Sequence, residues 1–146
     1  MEATATAALP RWYWIVSILG LLWMLLGVLS VVTDLMMDEA ALARMSEAEQ
    51  QVYGNRPGWL FIVHGIAVFA GLGGVVGLLM RRSWAVALLA LSLIAAVAQF
   101  GYVIFGLDAI RHLGAAATLS FPIVILAIGA GLLWLARHAK RLGWIG

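Results

Sequence analysis

The chain has 146 residues, 64% of them hydrophobic and only 11% charged, with a net charge of +2 and no cysteine; its mean hydropathy is +1.03. Soluble domains carry nearer a quarter charged residues, so this composition excludes a soluble globular core, and the missing cysteines exclude disulfides, thiolate catalysis and cysteine metal sites. Uninterrupted apolar runs exclude a membrane β-barrel and leave spanning helices, while the small positive balance reads as a topology signal and not as a nucleic-acid surface.

Residues 1–10, MEATATAALP, predict a short disordered tail with Pro10 just before a helix. Arg11 then leads into a first span over residues 12–33. A cleaved signal peptide would have a shorter apolar region and a small-residue cleavage site. This run is full length, carries Trp14 and Trp23 and ends at Thr33-Asp34, so the span is retained. Trp12, Tyr13 and Trp14 suggest an interfacial aromatic belt.

Residues 36–58 are the only sizeable polar stretch, and Asp38, Glu39, Glu47 and Glu49 outweigh Arg44 and Arg56 there. Leu42, Met45, Ala48 and Val52 recur at helical spacing, and Ser46 with Glu49 fits a capping box. This predicts one or two short amphipathic helices on the outer membrane face, ended by Gly54 and Pro57. Either a surface connector or a lid over a pocket fits the pattern.

The second span, residues 59–80, and the third, residues 84–106, are each long enough to cross about 30 Å at about 1.5 Å per residue. Only Arg81, Arg82 and Ser83 separate them, which forces an antiparallel hairpin. The second span carries Gly65, Gly71, Gly73, Gly74 and Gly77, with Gly73 and Gly77 as a GxxxG pair for close helix packing. Its partner is either a helix of the same chain or one of another copy. Residues 107–114 form a short outer loop with Asp108, Arg111 and His112. The fourth span, residues 115–135, opens with Thr118, Ser120 and Pro122 and is followed by a basic tail of Arg137, His138, Lys140 and Arg141, then Trp144.

Arg11, Arg81, Arg82, Arg137, Lys140 and Arg141 fall on one side of such a bundle, against Arg44, Arg56 and Arg111 on the other. The positive-inside bias therefore puts both termini in the cytoplasm. The predicted fold is all-α: a single four-transmembrane-helix bundle with a helical outer loop between the first two spans.

Depth can then be compared across helices. His64 lies five residues inside Trp59, about 7 to 8 Å below the outer boundary, and Gln99 about 10 Å down, with Tyr102 one turn above it. Thr118 and Ser120 open the fourth span from the same side, and Asp34 ends the first. Polar side chains thus gather in the outer half. One reading is an outward-opening ligand pocket built from His64, Gln99, Tyr102 and Thr118, since polar groups in a bilayer face the bundle interior or a wet cavity. The other is ordinary hydrogen bonding between helices, about 1 kcal/mol or less per contact.

No metal site is expected, because zinc normally takes three protein ligands and His64 stands alone. No intramembrane carboxylate relay, Ser-His-Asp constellation or glycine-rich phosphate loop is evident, so no catalytic residue, enzyme activity or cofactor is predicted.

Several stretches together resemble a family of small bacterial four-span inner-membrane proteins that carry the label "sugar transporter". They are Arg11-Trp12-Tyr13-Trp14-Ile15-Val16; Glu47-Ala48-Glu49-Gln50-Gln51-Val52-Tyr53 with Pro57 and Trp59; Ala67-Val68-Phe69-Ala70-Gly71; and Arg82-Ser83-Trp84-Ala85-Val86, Leu91-Ser92-Leu93, Gln99 and Gly143-Trp144. The resemblance implies a multi-pass protein of the bacterial plasma membrane and carries over no binding residues. Half-size sugar carriers show a Pro-Gln motif in a span, whereas Pro122 here is followed by Ile123. Four helices offer little to rock around a central site, so a carrier of this size would act as a homo-oligomer. Two roles follow: a transport-related protein binding a small uncharged or polar solute from outside, or an accessory or assembly subunit docked on a larger membrane complex.

Overall fold

The computed structural model describes residues 8–146. The helices run in the order α1 (Arg11–Leu35), α2 (Glu39–Ala43), α3 (Glu47–Tyr53), α4 (Gly58–Leu79), α5 (Ala85–Gly101, continued by a π-helical turn over Tyr102–Gly106), α6 (Ala109–Leu113) and α7 (Ala115–Arg141). No strand occurs among the described residues. Four elements, α1, α4, α5 with its π turn, and α7, are long and apolar enough to cross a membrane. Most of the tail expected for residues 1–10 lies outside the described residues; Pro10 caps α1 and Leu9 packs on the core.

The surface of these helices is the reverse of a soluble protein's. α1 buries a stripe of Tyr13, Ser17, Gly20, Met24 and Val31, while Leu19, Leu22, Leu26 and Leu29 stand exposed around it. Lipid tails are as apolar as leucine, so they accept this surface without penalty. Small residues on the inner stripe let the backbones approach.

α4 holds the centre, packed between α1 and α5, and α7 lies on α5. The α4–α5 contact is made by glycine. A methyl at Gly74 would sit 2.5 Å from Leu89 Cγ, and one at Gly77 would sit 2.9 Å from Ala85 Cβ. Gly71 is pressed by Met24 of α1 and Ser92 of α5 together, and Gly73 faces Leu88 at 3.1 Å. The Gly73 and Gly77 stripe is therefore covered by α5 of the same chain.

One end of the bundle, the basic end, gathers the Arg81-Arg82 turn and the last turn of α7. Both helices stop there in Schellman motifs, in which the last carbonyls accept bonds from beyond the helix. Arg81 (φ 58°) donates to the Leu78 carbonyl and Arg82 to that of Gly77; Gly143 (φ 70°) donates to Lys140 and Trp144 to Ala139. The chain then doubles back: Ser83 N–H donates to the Gly146 carbonyl, Gly146 N–H to that of Arg81, and Arg81 Nε to that of Trp144 at 2.9 Å. Ile145 is buried, and Trp144 packs edge-on against Trp12, Tyr13 and His138.

One expectation changes here. Tyr13 does not stand in an aromatic belt with Trp12 and Trp14. Residues adjacent on a helix point about 100° apart, so those tryptophans are exposed while Tyr13 is fully buried, its hydroxyl donating to the Leu78 carbonyl at 2.6 Å. The helix of the fourth span runs on past residue 135 and carries the basic residues on its last turns to Arg141, where cations meet the negative end of the helix dipole. Ser17 is also fully buried in the half at this end.

The opposite end carries α2, α3 and α6. The capping box of α3 forms in full, Ser46 Oγ accepting from Glu49 N–H and the Glu49 carboxylate from Ser46 N–H. The stretch expected as a loop over residues 107–114 holds the single turn α6, and Gly114 (φ 86°) redirects the chain into α7.

Candidate functional site

Ser30 and Asp34 stand one turn apart on α1, so they share a face. His64 on α4 meets both: its Nε2 lies 3.1 Å from Ser30 Oγ and 3.9 Å from Asp34 Oδ2. From the other side, Gln99 Nε2 on α5 approaches His64 Nδ1 at 2.8 Å. Three spans therefore meet at one imidazole.

The hydrogen-bond directions follow from the donors available. Ser30 O–H donates to the Gly27 carbonyl at 2.7 Å, so Ser30 Oγ receives a proton from His64 Nε2–H. Nδ1 is then the bare nitrogen, and the Gln99 amide donates to it. The network fixes the ring's orientation, with Nε2 toward α1 and Nδ1 toward α5.

Arg56 joins from the loop just before α4. Its Nη1 lies 3.4 Å and 3.5 Å from the two Asp34 oxygens, its Nε donates to the Tyr53 carbonyl, and its guanidinium sits 4.8 Å over both the Tyr53 and Phe61 rings. The side chains are partly open, with exposures of 11% for Arg56, 20% for Asp34 and 18% for His64. The Arg56–Asp34 pair thus adjoins the His64–Gln99 pair.

Of the residues singled out in the sequence, the structure brings His64 and Gln99 together and places the other two apart from their hydrogen bonds. Tyr102 packs edge-on against Trp59, with ring centroids 4.8 Å apart, which makes the next rung between α4 and α5 toward the acidic-loop end. The π turn begins at Tyr102, and its ring covers Gly106, where an added Cβ would lie 2.9 Å away. Thr118 is buried and donates to the Ala109 carbonyl, fixing α6 on α7. Ser30 and Arg56 belong to the cluster unannounced, and Asp34 belongs to it as more than a span end. The signals that point to them are the four-residue spacing of Ser30 and Asp34, and the position of Arg56 two turns before His64.

Two apolar grooves lie away from the cluster. One, of about 460 Å³, runs between α1 and α7 and is lined by Trp12, Trp23 and Trp134 with Gly20 and Gly131. The other, of about 270 Å³, lies where α5 and α7 meet near the basic end. Among the described residues no three His, Cys, Asp or Glu side chains converge as a metal site would require.

Comparison with protein-family models, with curated proteins and with solved structures gives no match.

Proposed function

We propose that the chain is a small transport-related protein that binds an uncharged, hydroxyl-bearing solute such as a sugar at the His64–Gln99 cluster, entering from the acidic-loop side. The observation that carries this reading is the graded line from Arg56 and Asp34 to His64 and Gln99. Each of these groups is a hydrogen-bonding partner that a solute hydroxyl matches as donor or acceptor. An ionisable residue at membrane depth is a functional site by default, because its burial is otherwise costly.

The resemblance to small bacterial "sugar transporter" proteins agrees with this role. The Lys/Arg distribution supports a basic end in the cytoplasm and an acidic loop outside, and the resemblance supports a bacterial plasma membrane. Four spans are few for alternating access, so the working unit is a homo-oligomer. Because the chain has no cysteine, single cysteines at Glu39 and Lys140 report orientation. An impermeant thiol reagent applied to intact cells labels the first and not the second; the reverse pattern would invert the topology.

The solute site is tested by binding neutral mono- and disaccharides to the purified protein and to its Gln99→Ala and His64→Ala variants, read by native mass spectrometry. Retention by the wild type and loss in both variants is expected. Equal retention in all three would remove the reading.

The three-tryptophan groove between α1 and α7 favours a second role, an accessory subunit whose groove receives a helix of a larger complex. Recovery in fixed ratio with such a complex after gentle extraction, in place of a homo-oligomer, would select it.

A further inference from the structure

The groove between α5 and α7 is lined by Leu93, Ala130, Leu133, Trp134, Arg137 and Arg141. Arg137 and Arg141 are one helical turn apart, so they stand on one face at the groove's basic end. The deeper lining is aliphatic and indole. From Arg141 back to Ala130 is eleven residues, about 16 Å at about 1.5 Å per residue, which matches half of a hydrocarbon core of about 30 Å. The groove therefore has the length of one leaflet, with cations at its polar end.

Among the described residues, neither guanidinium has a carboxylate within ion-pair distance. The ion pairs found join Asp34 to Arg56, and Asp108 to Arg111. The other described carboxylates sit in α2, α3 and their caps, at the acidic-loop end. Both arginines are exposed at the mouth of the groove. The groove wall is held in place, since the Trp134 ring stacks on His138 at 4.9 Å with the planes 9° apart. Ala130, a small residue on α7, leaves the deep part open beside Leu93.

We infer that this groove is a binding site for one anionic phospholipid, its phosphate held between Arg137 and Arg141 and one acyl chain lying along Leu133, Ala130 and Leu93 beside the Trp134 ring. Basic pockets between spanning helices recognise anionic head groups by the same combination of charge and apolar depth. Lys140, one residue from Arg141 and outside the lining, carries the same charge at the same membrane level. It therefore serves as the control for charge alone.

The test uses the full chain in mixed micelles containing equal amounts of phosphatidylglycerol and phosphatidylcholine, with retained lipid counted by native mass spectrometry. The wild type should keep one phosphatidylglycerol in preference to phosphatidylcholine by about thirtyfold, about 2 kcal/mol from two arginines. Arg137→Gln with Arg141→Gln should abolish the preference, and Lys140→Gln should keep it. Ala130→Leu leaves every charge in place and fills the groove, so it should lose the bound lipid even if the double variant fails to insert. Equal retention of the two lipids by the wild type, an equal loss in Lys140→Gln, or undiminished binding in Ala130→Leu would each overturn the site. So would a dimer that excludes lipid and is broken by Ala130→Leu, because the occupant would then be a second copy.

Discussion

Replacing Gly74 by alanine would put a methyl carbon 2.5 Å from Leu89 Cγ, 2.8 Å from its Cδ2 and 3.1 Å from its backbone nitrogen. Rotating the leucine about χ2 relieves the second contact only, and Cγ clears only if χ1 leaves its packed rotamer. The backbone nitrogen moves with α5 alone, so the α4–α5 interface must open. Gly73→Ala meets a softer neighbour, the Leu88 Cδ1 tip at 3.1 Å, and Gly65→Ala has nothing within 4 Å. All three substitutions gain the same helix-propensity term, about 1 kcal/mol per glycine replaced. That term cancels in the comparison. What remains is overpacking, typically about 1–3 kcal/mol for an added carbon in a filled interior. Unfolding in SDS mixed micelles, followed by tryptophan fluorescence, should rank Gly65→Ala at or above the wild type, Gly73→Ala near it, and Gly74→Ala about 1–3 kcal/mol below Gly65→Ala. If Gly74→Ala were as stable as Gly65→Ala, the close α4–α5 approach would be wrong.

Two further expectations concern the basic end. Arg81 holds φ at 58° while its Nε bonds the Trp144 carbonyl; Arg81→Gly and Arg81→Ala both lose that bond, but only glycine adopts the left-handed backbone freely. Thermal denaturation in detergent should therefore show Arg81→Gly more stable than Arg81→Ala by about 1–2 kcal/mol, and the opposite order would deny the Schellman turn. Tyr13→Phe removes a buried donor, but the Leu78 carbonyl keeps its bond from Arg81 N–H at 3.0 Å. The loss should stay near that of one hydrogen bond, about 0.5–1.5 kcal/mol by the same assay, and a loss above about 3 kcal/mol would mean that the ring itself is displaced.

Span existence, span order and depth are properties of local sequence. A run such as residues 59–80 is apolar over the length a bilayer demands, and the three residues Arg81, Arg82 and Ser83 permit one connection only. The capping box of Ser46 and Glu49 is equally local, because both of its bonds close within four residues. His64 and Gln99 could be set at similar depths by counting from span ends, and they meet at 2.8 Å. Counting along a helix gives height. It does not give direction.

Direction came only with the tertiary structure, because these spans are apolar on nearly every side and so carry no stripe in the sequence to mark an inner face. Tyr13 between two tryptophans gives no sign that it alone turns inward. Tyr102 and Thr118 share the depth of the cluster yet bond elsewhere, Tyr102 against Trp59 and Thr118 to the Ala109 carbonyl. Arg56 reaches Asp34 across 22 positions of chain only because α4, which begins just after Arg56, packs on α1. The partner of the glycine stripe was likewise open in the sequence, and backbone packing of α5 on Gly74 and Gly77 decides it. Hydropathy over one helix length fixes how deep each side chain lies; which way it faces depends on how the helices rotate against one another, and close packing alone sets that.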